Sequence, residues 1–372
     1  MKKKITILPG DGIGPEVVNQ GLKVIEAIND LYDHHFELIQ ADFGAVSIDK
    51  HGSPFTDEAL SECLSSDAIF LGAIGDPKYD NDPNLPVRPE QGLLKLRKSL
   101  ELFSNIRPIS TYDLLTDVSP LKNSLLKDVD FVIYRELTGG IYFGEKHIST
   151  DRTYASDLCE YTDKEISRIT YQAFEAAMSR RKKLTLVDKA NVLETSRLWR
   201  RVVQDISVEY PEVVVDYLFV DNAAMQVVLN PGQFDVILTE NMFGDIISDL
   251  ASVITGSLGM LPSASIGKKT ALFEPIHGSY PQAQGLDIAN PMAAILSVAM
   301  MYEHFGLLQE AEMIKEGIKW ALDNQIVTQD LSITKEASSC SKVGDVIAWF
   351  IEEEGELKIK NDSTKISLNC II

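Results

Sequence analysis

The sequence predicts an α/β fold with a largely parallel sheet, and three observations predict it. Short apolar runs alternate along the chain with longer segments of helical period, the pattern of strand–helix–strand units. At 372 residues and 45% hydrophobic side chains the chain can bury a large core, and its length suggests about two domains. No repeat of 20–50 residues and no low-complexity tract breaks the pattern.

The elements follow in order. KKITILPG is a strand running into a turn, and EVVNQGLKVIEAIND after it has helical period. AIFLGAIG, FVIYREL, LTLVD, VVVDYLFVD and FDVILTE are further strands. ISRITYQAFEAAMSR, AAMQVVL, DIISDLASVI and PMAAILSVAMMYEHFG read as helices. The residues after FIEEEGE are polar and strand-like and look like an appendage. The glycines of GDGIGP, residues 10–15, sit between the first strand and its helix, with Pro15 near the first helical position. They do not spell G-x-G-x-x-G, because the third glycine comes one residue early, and no acidic residue closes a second Rossmann strand. On their own they fit a tight strand-to-helix turn better than a Rossmann nucleotide loop.

Composition excludes several classes. A formal net charge of −20 and a pI near 4.7 argue against nucleic acid and anionic membranes as partners. The three lysines at the start mimic a signal peptide, but the apolar run that follows stops at Pro9 and Gly10, too soon for a signal sequence. No apolar run approaches the roughly 18 residues of a membrane span. Cys63, Cys159, Cys340 and Cys370 are far apart and form no CxxC, so free thiols in a reducing cytoplasm are expected.

FGDIISDLASV carries the first chemical signal. Asp245 and Asp249 lie four apart, on one side of a helix, beside Ile246, Ile247, Leu250 and Val253, a stripe expected to face the core. Two carboxylates so placed suit a hard cation, which takes oxygen ligands. Asp221, read as the last residue of VVVDYLFVD, is a candidate third ligand at a strand's carboxyl end. Helix caps and solvated faces remain an equal alternative for all three. Arg97, Arg107 and Arg135 occur at or just after predicted elements. If they converge, they can hold a dicarboxylate through bidentate hydrogen bonds, while a surface position is the default for any one of them. Lys189 follows a strand end and Tyr142 sits in the turn TGGIYFG. They suit a base and an acid, though either residue type is more often structural.

Taken together, six blocks carry a resemblance: LPGDGIGPE, GLLKLRKSLELFSNIRP, RELTGGIYFGE, VDKANVLETSRLWR, NMFGDIISDLASVITGSLGMLPSAS and FEPIHGSYPQAQGLDIANPMAAILS. In this order, from residue 5 to about 350, they resemble the isocitrate/isopropylmalate β-decarboxylating dehydrogenase family. The resemblance implies a doubly wound α/β sheet with a dinucleotide site unlike the Rossmann one. It implies two domains: residues 1–102 with 256–372, holding both termini and the cofactor, and residues 103–255, holding the dimer interface. It further implies a homodimer with shared active sites. Arg97, Arg107 and Arg135 would grip the malate carboxylates. Asp221, Asp245 and Asp249 would bind Mg²⁺ or Mn²⁺, with Asp221 and Lys189 reaching in from the partner. Tyr142 and Lys189 would be the acid–base pair, for hydride loss from C2 and then loss of CO₂.

Substrate and cofactor follow from particular residues. Glu90, Leu93, Leu94 and Arg97 are spaced to share one helical face. Two leucines beside an arginine suit an isopropyl group on malate and penalise a third carboxylate, although ordinary core packing would also explain them. Val192 is a further apolar candidate. With these residues, the resemblance implies NAD-dependent conversion of 3-isopropylmalate to 4-methyl-2-oxopentanoate and CO₂, within leucine biosynthesis. A sibling activity on D-malate or tartrate and a non-catalytic paralogue are the alternatives. Ile13, Glu274, His277, Gly278, Ser279, Gln282 and Asn290 match the family's cofactor positions. Gln282 stands where NAD-using members often carry aspartate. Residues 276–290 nevertheless hold no lysine or arginine for a 2′-phosphate, and Asp287 is expected to repel one, so NAD is favoured.

Overall fold

A computed structural model describes residues 1–80, 85–333 and 336–353 of the chain. Among them are twelve strands: β1 (Lys2–Gly10), β2 (His35–Gln40), β3 (Ala68–Ala73), β4 (Ser104–Ser110), β5 (Asp130–Glu136), β6 (Lys146–Ile148), β7 (Ala155–Asp157), β8 (Lys183–Asp188), β9 (Val214–Phe219), β10 (Val236–Thr239), β11 (Pro262–Ile266) and β12 (Ala271–Pro275). The chain gathers into two compact units. One is Met1–Leu96 with Leu258–Ala264 and the residues from Thr270 on; the other is Arg97–Ser257 with Ser265–Lys269. Residues 97–102, 256–257 and 265–269, expected with the first unit, cluster with the second. One backbone and one side-chain bond explain the last segment: the Phe103 N–H donates to the Ile266 carbonyl at 3.0 Å, and Asn105 Nδ2 donates to Ser265 Oγ at 3.1 Å.

In the first unit the strand order is β2-β1-β3-β12-β11. β1 pairs in parallel with β2 and β3, and β12 in parallel with β3. Every residue of β3 is buried, as a parallel strand covered on both faces requires. The helix Gly14–Tyr32 buries Val17, Val18, Gly21, Val24, Ile25 and Ile28, one stripe at helical period. Where this helix leaves β1 the chains crowd: a Cβ on Gly72 would lie 2.4 Å from the Pro9 carbonyl oxygen. The apolar stretch around PMAAILSVAMMY is the helix Met292–His304, buried almost all round and therefore a core helix. Among the described residues no helix is long and apolar enough to cross a membrane.

In the second unit the order is β4-β5-β10-β8-β9. β5, β10, β8 and β9 run parallel, while β4 is antiparallel to β5. The helices Asp163–Ser179 and Glu194–Ser207 bury Ile166, Phe174, Trp199 and Val203 in one cluster with Val132, Leu184 and Leu238 of the sheet. A capping box of Thr162 and Glu165 starts the first of these helices.

One sequence expectation is corrected here. VVVDYLFVD is not a strand to its end: β9 stops at Phe219, and Val220–Leu229 is a helix with Asp221 in its first turn. Apolar character runs unbroken across the junction, so hydropathy gave no boundary, while a carboxylate in a helix's first turn is favoured by the helix dipole. The expected appendage and Cys370 lie outside the described residues.

Candidate active site

β4 and β5 present the arginines. In their antiparallel register Asn105 pairs with Arg135 and Arg107 with Ile133, so alternation puts Asn105, Arg107 and Arg135 on one face. After β10 the helix Asn241–Ala251 lays Asn241, Asp245, Ser248 and Asp249 along one side. Both arginines are buried; Arg135 is 3% exposed. Arg107 donates from Nε to Asn105 Oδ1 at 2.7 Å, and from Nη1 to Ser248 Oγ at 2.6 Å and Asp249 Oδ1 at 3.2 Å. Arg135 donates from Nη1 to Asp245 Oδ1, and from Nε and Nη2 to Asn241 Oδ1 at 3.2 and 2.9 Å. Burial, then the neighbouring Arg107, lowers the Arg135 pKa to about 10. The repulsion between Asp245 and Asp249 is thus met by two guanidinium groups. Of the stripe expected to face the core, only Ile247 is fully buried, and Ile246 is 56% exposed.

Tyr142 closes a short 3₁₀ turn, Gly140–Tyr142, just after β5. Its hydroxyl donates to Asp245 Oδ2 at 2.9 Å. Burial, the hydrogen bond and the charge of Asp245 push its pKa up to about 12, so the phenol keeps its proton at neutral pH. Lys189 and Asp221 form a separate pair, with Nζ donating to Asp221 Oδ1 at 2.7 Å. Lys189 is held on the backbone side by Ser196 Oγ, and the preceding Asp188 is clamped by Arg200 through two bonds of 2.8 and 2.9 Å. Among the described residues no three His, Cys, Asp or Glu side chains of one chain gather to hold a metal. Asp221 therefore does not join Asp245 and Asp249 within this chain.

The helix Pro89–Ser99 settles the leucine alternatives. Its core contact is Leu96, fully buried, together with Pro89 and Gly92. Leu94 is 38% exposed, Leu93 is only partly buried and Glu90 is exposed, so the two leucines are not core residues. Val192 is exposed as well.

In the first unit a cavity of about 480 Å³ is lined by Ile13, His277, Gly278 and Asn290 of the expected cofactor residues. The Ser279 carbonyl accepts the Ile13 N–H at 2.8 Å, joining the first glycine turn to the loop. Glu274 is buried at the end of β12 and Gln282 is exposed; neither is among the lining residues. Asp287 does not face the cavity either. Its carboxylate accepts from the Ser341 N–H at 2.8 Å and Ser341 Oγ at 2.6 Å, and its own N–H, with that of Gly285, donates to the Glu16 carboxylate. Asp287 keeps its negative charge, since burial is outweighed by its neutral donors at Ser341, which hold its pKa below the ordinary value, but its carboxylate is clipped to Ser341 and is not part of the cavity wall. The acidic group in the cavity wall is Asp330, held by Asn290 Nδ2 at 3.0 Å and Thr328 Oγ1 at 2.5 Å.

A family model, Isocitrate/isopropylmalate dehydrogenase, matches residues 4–347. The chain belongs to the isocitrate/isopropylmalate dehydrogenase family. It is 50% identical over 352 residues to the 3-isopropylmalate dehydrogenase of Bacteroides fragilis, covering 95% of this chain and 99% of that one. It is 46% identical over 363 residues to the enzyme of the same name from Bacillus subtilis, covering 96% and 99%. Among solved structures it is similar to isocitrate dehydrogenase from Methylococcus capsulatus, with a TM-score of 0.84, 34% identity and coverage of 94% and 99%. A β-decarboxylating dehydrogenase from Thermococcus kodakarensis, in its apo form, matches with a TM-score of 0.77 and 34% identity, covering 94% and 96%.

For this isocitrate/isopropylmalate dehydrogenase family member, sequence reasoning missed Asn105, Asn241 and Ser248, which hold the arginines, and Asp330 of the cavity. The neutral amides carry no signal of their own. A buried arginine pair does imply such acceptors, because a guanidinium offers only donors.

Proposed function

We propose that the chain catalyses the NAD-dependent, divalent-metal-dependent oxidative decarboxylation of 3-isopropylmalate to 4-methyl-2-oxopentanoate and CO₂, in leucine biosynthesis. The observation that carries this reading is the cluster in which buried Arg107 and Arg135 meet Asp245, Asp249 and the hydroxyl of Tyr142. It brings anion-binding groups, oxygen ligands and a proton donor together. The names of relatives at 46–50% identity point the same way.

The residues fit the groups this chemistry needs. Asp245 and Asp249 offer carboxylate oxygens from one helix face, a donor set for Mg²⁺ or Mn²⁺, and Asp221 of a second copy would complete it. Exposed Met225, Leu229 and Ile246 on neighbouring helices, and Ile148 and Tyr154 on the hairpin of β6 and β7, are surface that a second copy would cover. For NAD, the cavity wall includes His277, whose Nε2 is shielded from solvent and lacks a partner among the described residues. The lining carries Asp330 and, among the described residues, no lysine or arginine, which favours NAD over its 2′-phosphate form.

Held by Asp245 and Asp249 with Asp221 of a second copy, a bound cation would supply Lewis acidity to the substrate hydroxyl, and NAD in the cavity beside His277 would supply a hydride acceptor. Arg97, Arg107 and Arg135 bind the two carboxylates and fix the carbon skeleton. Lys189 of the second copy accepts the hydroxyl proton. Leu93, Leu94 and Val192 surround the isopropyl group, whose burial stabilises binding by about 1.5–3 kcal/mol. As the carboxylate on C3 leaves as CO₂, its bonding electrons pass to C3, and Tyr142 delivers a proton there. The reaction belongs in the cytoplasm, where its cofactor is supplied.

A steady-state panel tests the proposal: 3-isopropylmalate, D-malate, tartrate, isocitrate and homoisocitrate, each with NAD and NADP, with and without Mg²⁺. The expected result is the highest kcat/KM for 3-isopropylmalate with NAD and Mg²⁺. A higher value for isocitrate or D-malate would sink it.

A further inference from the structure

We infer that Asn241 is a positioning residue that couples the grip on the substrate to the proton donor. Its side chain is fully buried and each polar atom is used. Oδ1 accepts from Arg135 Nε at 3.2 Å and Nη2 at 2.9 Å. Nδ2 donates at 3.2 Å to the carbonyl of Gly139, the residue before the turn that carries Tyr142. The backbone N–H donates to the Tyr161 hydroxyl at 2.9 Å.

Chemistry fixes which way this amide points. A guanidinium has no acceptor, so only oxygen can face Arg135; a carbonyl has no donor, so only the NH₂ can face Gly139. One side chain therefore needs an acceptor and a donor on separate atoms side by side, which the amide of asparagine provides. The same helix holds Asp245, which accepts from Arg135 Nη1 and from the Tyr142 hydroxyl. Arg135 and the Tyr142 turn are thus joined twice, once by the exposed-side carboxylate of Asp245 and once from beneath by Asn241. The turn has little room to settle elsewhere: Gly140 has φ of +74°, and a Cβ there would lie 2.4 Å from the Tyr161 hydroxyl oxygen. The lower tie fixes where the phenol stands relative to the carbon that Arg135 helps to place.

The inference rests on the reaction proposed above, and its test uses the stereochemistry of protonation. Turnover in D₂O places one deuterium on C3 of the 4-methyl-2-oxopentanoate, on the face that Tyr142 addresses, and rapid reduction of the product preserves it for NMR. Asn241→Asp keeps the acceptor for Arg135 and loses the donor to Gly139. Its KM for substrate is expected to stay within a few-fold of wild type while kcat falls, on the order of 10²-fold for a displacement near 1 Å, and deuterium appears on both faces. Asn241→Ser, which buries no charge, loses both ties; it is expected to raise KM as well and to scramble the label. Facial selectivity is read per turnover, so any misfolded fraction does not enter. Retained selectivity in both variants would overturn the inference. If wild type itself fails to turn over 3-isopropylmalate, the proposed reaction is what has failed.

Discussion

Single residues set the chemistry, and His277 offers a pH test of the cavity proposed to take NAD. Partial burial lowers its pKa from the ordinary value, so the folded protein resists protonating it. The unfolded chain takes up the proton below about pH 6.5. The unfolded state then binds more protons, and the stabilising contribution of the neutral imidazole is lost as pH falls through that value. A His277→Gln variant cannot titrate there. The wild-type melting temperature, measured relative to this variant, is therefore expected to decline as pH falls from about 7.5 to 5.5; a constant difference would contradict a half-buried histidine that resists protonation. At this scale the sequence told which side of a helix Asp245 and Asp249 share, because spacing fixes that. It did not tell that arginines face them, since partners across 142 positions (Arg107 with Asp249) leave no local trace. For Asp287 the charge was legible, but not that Ser341 holds its carboxylate.

Elements decide which face does what. In Pro89–Ser99 the core takes Leu96, while Leu93 is partly buried and Leu94 exposed, which leaves both available for the substrate role proposed above. Leu94→Ala is expected to lower the kcat/KM preference for 3-isopropylmalate over D-malate by about 1–3 kcal/mol, with a small effect on stability. Leu96→Ala is expected to do the reverse, costing about 2–5 kcal/mol of stability and leaving the ratio unchanged. Denaturation midpoints and two-substrate kinetics on the same preparations separate the two. Periodicity alone could not assign these roles, because three leucines in four positions suit either face. β5, β8 and β10 were legible as apolar runs bounded by polar residues. β2 was not: HFELIQ mixes charge with apolar residues and is half exposed. β4, with Pro108 inside it, was not expected as a strand either, although its antiparallel register is what sets Arg107 beside Arg135.

For the whole molecule the strand–helix alternation was enough to predict an α/β fold. The return of the chain to the first unit after residue 257 came from family resemblance, not from hydropathy. The separation of Lys189 and Asp221 from Asp245 and Asp249 within one chain gives a prediction about assembly. A Lys189→Ala chain and an Arg97→Ala chain are each expected to be nearly inactive. Mixed subunits should recover up to one intact site per heterodimer, since one site then carries both defects and the other neither. No recovery after exchange verified by mass spectrometry would mean that each site is built from one chain.

The clip through Asp287 has a thermodynamic consequence. Glu16 accepts the N–H groups of Gly285 and Asp287, and Ser341 holds the Asp287 carboxylate, so the loop beside the cavity is fastened to two helices before any ligand arrives. The entropy of ordering that loop is then part of folding and is not charged against binding. Calorimetric titration with NADH across several temperatures should give a modest negative heat capacity change, in line with the apolar area the ligand itself covers. Asp287→Ala removes the Ser341 side of the fastening and leaves the backbone bonds to Glu16, so the loosened part of the loop must order during the titration. A larger negative heat capacity change and a more unfavourable entropy are expected for that variant, and curves that superimpose on wild type would show that the loop keeps its form without the clip.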